Sequence, residues 1–219
     1  MGVVFRMKRF GSFLPLFALG VLGVRANSSG PDPGSTGVPG EGTCNQSSCH
    51  VGNPLNSPGG GVSIEFPSGQ TYAPGVKQRW IVRVTDSGSP AARGFGFQLT
   101  VRLASNLKAQ AGTLDPTDRA TFVMCSSADF TRFSERGGTG CPANQPLQSI
   151  EHSQPVNPPN NSWTIEWTPP ATAQGDIRVY VAGNAANLNG QNTGDRIYTQ
   201  NYTLTAGTGG GPASFVHDD

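Results

Sequence analysis

Sustained helical periodicity is absent from this sequence beyond its first 26 residues. Charged residues make up only 13% of the 219 residues, whereas Gly and Pro are abundant, with 30 and 18 copies. Long helices need many Ala, Leu, Glu, Lys and Arg residues, so this composition argues against them. It favours short strands joined by many turns.

Motifs of several large enzyme classes are also missing. The sequence contains no nucleophile elbow, no phosphate-binding loop and no zinc-protease motif. We therefore expect a protein that is not an enzyme. An excess of positive charge is missing too, since removal of residues 1–26 changes the formal charge from +1 to −3. That balance excludes the electrostatic footprint of a nucleic-acid-binding protein.

The first 26 residues predict a secretory signal peptide. Arg6, Lys8 and Arg9 precede an apolar run over residues 10–24, and Ala26 fits a small-residue cleavage site. The run is short for a membrane span, although an uncleaved anchor is the alternative. We expect a protein that is secreted, periplasmic or at the cell surface, with no stable membrane span after cleavage.

The rest of the chain divides into three predicted parts. Residues 27–60 form a linker rich in Gly, Pro and Ser, which carries a cysteine motif. Residues 61–206 form one domain, and residues 207–219 form a disordered tail. The tail contains no hydrophobic segment, so we expect a released rather than an anchored protein.

Alternation of apolar and polar residues predicts the strands of the domain. The clearest patterns cover residues 62–66, 80–84, 95–103, 163–167, 177–181 and 198–204, with weaker ones at 110–114, 120–125 and 148–152. Seven to nine short strands separated by turns predict an all-β protein with a single antiparallel, immunoglobulin-like β-sandwich. Phe97 and Trp163 are predicted to lie in its core.

The segment from Cys44 to His50 reads C-N-Q-S-S-C-H. A cysteine followed directly by a histidine ends the attachment signal of c-type haem, C-x-x-C-H. On this interpretation, Cys44 and Cys49 form thioethers with the porphyrin, and His50 is the proximal iron ligand. The motif has four residues between its cysteines instead of two. Disulfides are the structural alternative, and zinc is disfavoured because no nearby cysteine pair completes a tetrahedron.

An exported protein is expected to have paired, metal-bound or modified cysteines. Cys44, Cys49, Cys125 and Cys141 allow three complete disulfide pairings. They also allow haem attachment together with a Cys125–Cys141 disulfide. The leading hypothesis takes the last arrangement, in which this disulfide clamps a Gly-rich loop.

His152 is the first candidate for a distal haem ligand. The chain has three histidines, and the one besides His50 and His152 is His217, which lies in the predicted tail. Two axial histidines would suit electron transfer. A structural histidine bonded to the backbone is the alternative for His152. The Asn-rich loop over residues 183–195 has only one carboxylate, so we expect turns there rather than calcium binding.

Several motifs in this chain resemble a known family. They are G-V-P-G-E-G-T-C…C-H, G-F-G-F-Q-L-T, I-E-H-S, S-W-T-I-E-W-T-P-P and Y-V-A-G-N-A-A-N-L-N-G…G-D-R-I-Y. In this order, over about residues 38–204, they resemble the bacterial choice-of-anchor V domain, which is similar to the Reeler (reelin-type) domain of animal extracellular proteins. The resemblance implies a secreted β-sandwich after a haem-type cysteine motif, although animal Reeler domains are not haem proteins.

Two functional hypotheses follow. The first is a secreted c-type haem-binding module for electron transfer or redox sensing, with an unknown redox partner. The second is a haem-free, Reeler-like adhesion or matrix module. In that case the cysteines are structural, and the sheet faces or loops bind an extracellular matrix or surface protein.

Overall fold

The structure is a computed structural model, and it describes residues 29–46, 49–138 and 140–207. The predicted signal peptide, and the predicted tail after Gly207, lie outside the described residues. Within these ranges there is no helix of the length and apolar character that a membrane crossing requires. The twelve strands are β1 (Gly60–Glu65), β2 (Thr71–Tyr72), β3 (Gln78–Asp86), β4 (Gly94–Leu103), β5 (Asn106–Gln110), β6 (Thr113–Pro116), β7 (Thr121–Ser126), β8 (Phe133–Glu135), β9 (Leu147–His152), β10 (Ser162–Thr168), β11 (Ile177–Ala186) and β12 (Arg196–Ala206).

These strands form two sheets. The small sheet has the order β1-β3-β10-β6, and the large sheet has the order β2-β12-β11-β4-β9-β7-β8, with β5 paired to β4. Apart from the parallel pair of β12 and β2, the paired strands are antiparallel. Buried apolar side chains from both sheets form one large cluster. The predicted all-β sandwich is therefore confirmed.

Aromatic rings fill the space between the sheets. Trp80 and Trp167 pack with ring centroids 4.9 Å apart, and Phe97 packs on Trp163 at 4.7 Å. All four side chains are buried. Each ring removes a large apolar area from water, so this layer supplies much of the driving force for folding.

The pattern over residues 110–114 is not a single strand. β5 ends at Gln110 in the large sheet, and β6 begins at Thr113 in the small sheet. Between them Gly112 has a φ of +75°, and a Cβ there would lie 2.2 Å from the Thr168 carbonyl oxygen. The chain therefore crosses between the sheets at a glycine that no other residue can replace without strain.

A disulfide joins Cys125, in β7, to Cys141, in the loop before β9. This pairing is the one that the leading hypothesis predicted. It also removes both cysteines as partners for Cys44 and Cys49, which are not joined to each other by a disulfide in the structure. The bridge closes the loop that contains β8 and so restricts the unfolded chain.

Candidate functional site

The two faces of β4 carry different side chains. Phe95, Phe97, Leu99 and Val101 belong to the core cluster between the sheets. The outer face carries Gly96, Gln98, Thr100 and Arg102, and the side chains of the last three are buried as well. An outer sheet face normally contacts water, so something must cover it. Here the N-terminal segment, defined as residues 29–46, lies across it.

Gln98 fixes the N-terminal segment to the sheet. Its Oε1 accepts a hydrogen bond from the Ser35 backbone N–H at 3.1 Å. Its Nε2 donates to the carbonyl oxygens of Pro31 and Asp32 at 3.2 Å, and to Glu151 Oε2 at 2.7 Å. Gln98 is fully buried. One glutamine therefore provides hydrogen-bond partners for main-chain groups that would otherwise be buried without them.

Cys44 lies where the N-terminal segment meets β11 and β12. Its side chain packs with Ala182 and Ile197 in a small buried cluster, and its Sγ donates to the Ser35 carbonyl oxygen at 3.5 Å. Burial, followed by the nearby Cys49, raises the pKa of the Cys44 thiol to about 12. The thiol is therefore held in its protonated form, as a small packing group.

His50 is attached to the loop between β11 and β12. Val51 pairs with Thr193 in a parallel bridge, which brings His50 beside Asp195. His50 Nδ1 lies 2.7 Å from Asp195 Oδ2, and His50 Nε2 lies 3.2 Å from Asn184 Nδ2. Both ring nitrogens therefore have protein partners. The loop amides make turn-type hydrogen bonds with one another, such as Asn187 Nδ2 and Asn189 Nδ2 to the Thr193 carbonyl oxygen.

A cavity of about 780 Å³ lies between the N-terminal segment, the outer ends of β4 and β11, and the loop between β11 and β12. Sites for small molecules measure roughly 300–1,000 Å³, so this one is large enough for such a ligand. The residues singled out from the sequence meet here, because Cys44, Cys49, His50 and His152 all contribute to its lining.

His152 occupies the space beside Gly96. A Cβ on Gly96 would lie 2.5 Å from the imidazole ring, so only glycine allows this contact. His152 Nδ1 lies 3.1 Å from both the backbone nitrogen and the carbonyl oxygen of Phe97. Burial lowers the pKa of His152, which favours the neutral ring. The structural alternative for His152, a ring bonded to backbone, agrees with this geometry.

Two apolar side chains at the cavity come from left-handed backbone positions. Phe130 has a φ of 55° and Leu188 has a φ of 53°. Gly34 and Gly94 leave room for these two side chains, since a Cβ at either glycine would lie within 3.1 Å of them. Such a backbone is unfavourable for non-glycine residues and is concentrated at ligand sites. Reasoning from the sequence missed these two residues, because no periodic pattern marks a left-handed loop position.

Comparisons with solved structures find distantly similar domains. The human F-spondin reeler domain aligns with a TM-score of 0.44 and 15% identity, over 70% of this chain and 94% of that chain. The Reelin-N domain of F-spondin gives the same score and identity, over 70% and 91%. A cohesin module of a family 33 glycoside hydrolase from Clostridium perfringens aligns at 0.41 and 8% identity, over 68% and 96%.

These neighbours include Reeler domains, to which the sequence motifs are also similar. No family model matches the chain, and no curated protein matches it. The resemblance to the choice-of-anchor V domain stays a prediction.

The prediction of haem c is wrong. Cys44 is 6% exposed and its Sγ donates to the Ser35 carbonyl oxygen, so the thiol is packed against the sheet rather than free to form a thioether. His50 Nε2, the nitrogen that would ligate the iron, faces the Asn184 amide. Across residues 29–46, 49–138 and 140–207, no group of three or more His, Cys, Asp or Glu side chains could hold a metal ion. Cys44 and His50 therefore do not fit the roles that the motif predicted, and without haem the roles predicted for Cys49 and His152 do not apply.

Burial of Cys44 predicts slow alkylation. In a Cys49→Ser variant, iodoacetamide at pH 8 should label Cys44 at least tenfold more slowly in the folded protein than in denaturant, because only the thiolate reacts. Mass spectrometry of the labelled peptide measures both rates. Equal rates in the folded and unfolded protein would contradict the buried, protonated thiol.

Proposed function

We propose that this protein is a haem-free, Reeler-like extracellular module that acts by recognition, as adhesion and matrix proteins do. The cavity under the N-terminal segment is its binding site. The observation that carries the proposal is that residues 29–46 cover the outer face of the large sheet but leave this cavity at its end. A segment with purely structural duties would have closed it, since protein interiors are otherwise densely packed.

The surroundings of His50 favour binding over catalysis. A His–Asp pair orients the general base in many enzymes that use a nucleophile. Here the second ring nitrogen faces an amide, Asn184 Nδ2, rather than a hydroxyl or thiol group. The pair with Asp195 therefore serves to hold the backbone around His50 and the Asn184 side chain in place. On this proposal the protein is not an enzyme.

An extracellular location is part of the proposal. The Cys125–Cys141 disulfide supports it, because disulfides persist in oxidising compartments and are rare in the cytosol. The predicted signal peptide supports it as well.

Filling the cavity should abolish recognition. Ala186 lines the cavity near the end of β11, so Ala186→Trp would occupy part of its volume. We expect this variant to lose at least tenfold in affinity for immobilised extracellular matrix of the host organism, measured by surface plasmon resonance. The matched control is Val76→Trp, which adds the same ring at a position that is 58% exposed and remote from the cavity.

The control should bind as the parent protein does, and thermal unfolding should show that both variants are folded. If Ala186→Trp binds as tightly as Val76→Trp, recognition occurs elsewhere and the proposal fails. Mass measurement of the mature protein, made in a host with haem-attachment enzymes, should show no added haem.

A further inference from the structure

Two acceptor atoms in the cavity wall have no hydrogen-bond partner. They are Glu41 Oε2 and Asn184 Oδ1, and both are buried. Among the described residues that line the cavity, no side-chain donor is left unpaired in this way. A buried acceptor without a partner costs free energy, because it has lost its hydrogen bonds to water without replacement. A ligand that supplies donors would recover this cost, whereas a ligand that supplies only acceptors would not.

The orientation of Asn184 follows from its neighbours. In the tautomer with the proton on His50 Nδ1, that nitrogen donates to Asp195 and Nε2 is an acceptor. The Asn184 amide nitrogen donates to that atom, which turns its oxygen away. Reversing the amide would break this hydrogen bond. In this tautomer of His50, Asn184 Oδ1 is left without a partner.

The ion pair that Glu41 makes within the protein is weak. Its side chain is 10% exposed, and its Oε1 lies 3.5 Å from the fully buried Arg102, which is long for a hydrogen bond. Its Oε2 has no partner. Burial raises the pKa of Glu41, although Arg102 acts in the opposite direction. An additional cation in the cavity would stabilise this carboxylate.

Among the described residues of the cavity wall, the side chains drawn from Asp, Glu, Lys and Arg are all acidic. The lining residues include three carboxylates, Asp32, Glu41 and Asp195, and the described part of the lining contains no Lys or Arg. A cleft with charges of one sign focuses its potential on a bound ligand. Anionic ligands such as carboxylates and phosphates are therefore disfavoured, and positively charged ligands are favoured. The apolar side chains of Phe130 and Leu188 complement the body of a ligand rather than its charge.

We propose that the cavity binds a small organic cation, with a largely apolar body and a protonated amine that donates to Glu41 or Asn184. This inference names the ligand class of the binding site proposed above and rests on that proposal. The apolar body would pack between the two loop side chains, and the amine would point to the acceptors of the wall.

Three probes with one apolar body test the charge preference. They are 2-naphthylmethylamine, 2-naphthylmethanol and 2-naphthoate, titrated into the mature protein by isothermal titration calorimetry at pH 7. We expect the amine to bind at least tenfold more tightly than the alcohol, and the carboxylate to show no saturable binding.

Two substitutions test the acceptors. Glu41→Gln keeps the shape of the side chain but removes its charge, and Asn184→Ala removes the amide oxygen. At least one of them should reduce the affinity for the amine tenfold and leave the alcohol nearly unchanged. Glu166→Gln is the matched control, because Glu166 lies on the small sheet, paired with Lys77 and Arg79. It should leave all three affinities as they are.

The outcomes separate this inference from the proposed function. Equal binding of the amine and the alcohol, or tighter binding of the carboxylate, overturns the amine preference. The proposed function would stand in that case if Ala186→Trp still blocked the bound probes. Failure of all three probes to bind also overturns the inference. In that case the matrix-binding experiment with Ala186→Trp tests the proposed function independently.

Discussion

Replacement of Asp86 by alanine is expected to lower the free energy of unfolding by about 3–5 kcal/mol. Asp86 ends β3, and it accepts from Arg196 through both of its oxygens at 2.6 Å. The Tyr198 hydroxyl donates to Asp86 Oδ1 at 2.7 Å. This network connects the small sheet to β12 of the large sheet, so it fixes the relative position of the two layers.

The size of the effect follows from burial. The Asp86 side chain is fully buried and that of Arg196 is 9% exposed, so the variant would leave a guanidinium charge with too few acceptors. The local backbone leaves no space for rearrangement. A Cβ on Gly88 would lie 2.5 Å from the Arg196 guanidinium carbon, and a Cβ on Gly60 would lie 2.3 Å from the Tyr198 hydroxyl oxygen.

The measurement is equilibrium unfolding in urea, with Glu65→Ala as control. Glu65 ends β1 and is exposed, so its loss should change stability by no more than about 0.5 kcal/mol. Burial alone would raise the pKa of Asp86, but hydrogen bonds from Arg196 and Tyr198 lower it below 3.8. The stabilisation should be complete above pH 3.8 and decline as the pH falls below it. A variant as stable as the control would refute this account.

The alternation of apolar and polar residues correctly predicted the strands that turn one face to the core. The patterns around Trp80, Phe97, Trp163 and Val179 correspond to β3, β4, β10 and β11. The two-residue strand β2 and the three-residue strand β8 were not predicted, because two or three residues are too few to show a period. Their position depends on partners distant in the chain, which a local pattern does not contain.

The cover of the outer sheet face could not be predicted in this way. The N-terminal segment binds through carbonyl oxygens, such as those of Pro31 and Asp32, and therefore shows no apolar pattern. In β4, Gln98, Thr100 and Arg102 alternate with core residues. Such alternation is typical of a sheet with one face in water, so the pattern alone does not reveal the cover.

The cysteine motif identified the right place but the wrong chemistry. Cys44, Cys49, His50 and His152 do meet at one cavity, as the haem hypothesis required. Adjacency in sequence does not determine where ring nitrogens and sulfur atoms point. The partners that decide this include Asp195, which lies 145 residues from His50 along the chain.

Stability should fall as the pH rises from 5 to 8, and Glu151 should cause most of this fall. Glu151 is 1% exposed beneath the N-terminal segment, where a Cβ on Gly30 would lie 2.8 Å from its carboxyl carbon. Burial raises the pKa of Glu151 from 4.5 to about 8; Asp32 adds to the rise, and the hydrogen bond from Gln98 opposes it. Between these pH values the folded protein retains a proton that the unfolded chain has lost.

The folded state is therefore favoured most below pH 4.5, and the advantage is lost as the pH rises through about 8. The expected loss is about 3 kcal/mol between pH 5 and pH 8. Glu151→Gln keeps an acceptor for Gln98 and removes the titration. Its free energy of unfolding should lack the fall that Glu151 causes in this range, and at pH 8 it should exceed that of the parent protein.

The neighbouring His152 has the opposite effect. Burial lowers its pKa from 6.5, so its contribution to stability rises with pH up to about 6.5. Both proteins contain this histidine, so its effect cancels in the difference between them. Urea unfolding at pH 5, 6.5 and 8 gives that difference directly. Parallel curves for the two proteins would mean that Glu151 is ionised in the fold, and that the N-terminal segment covers a charged carboxylate rather than a neutral acid.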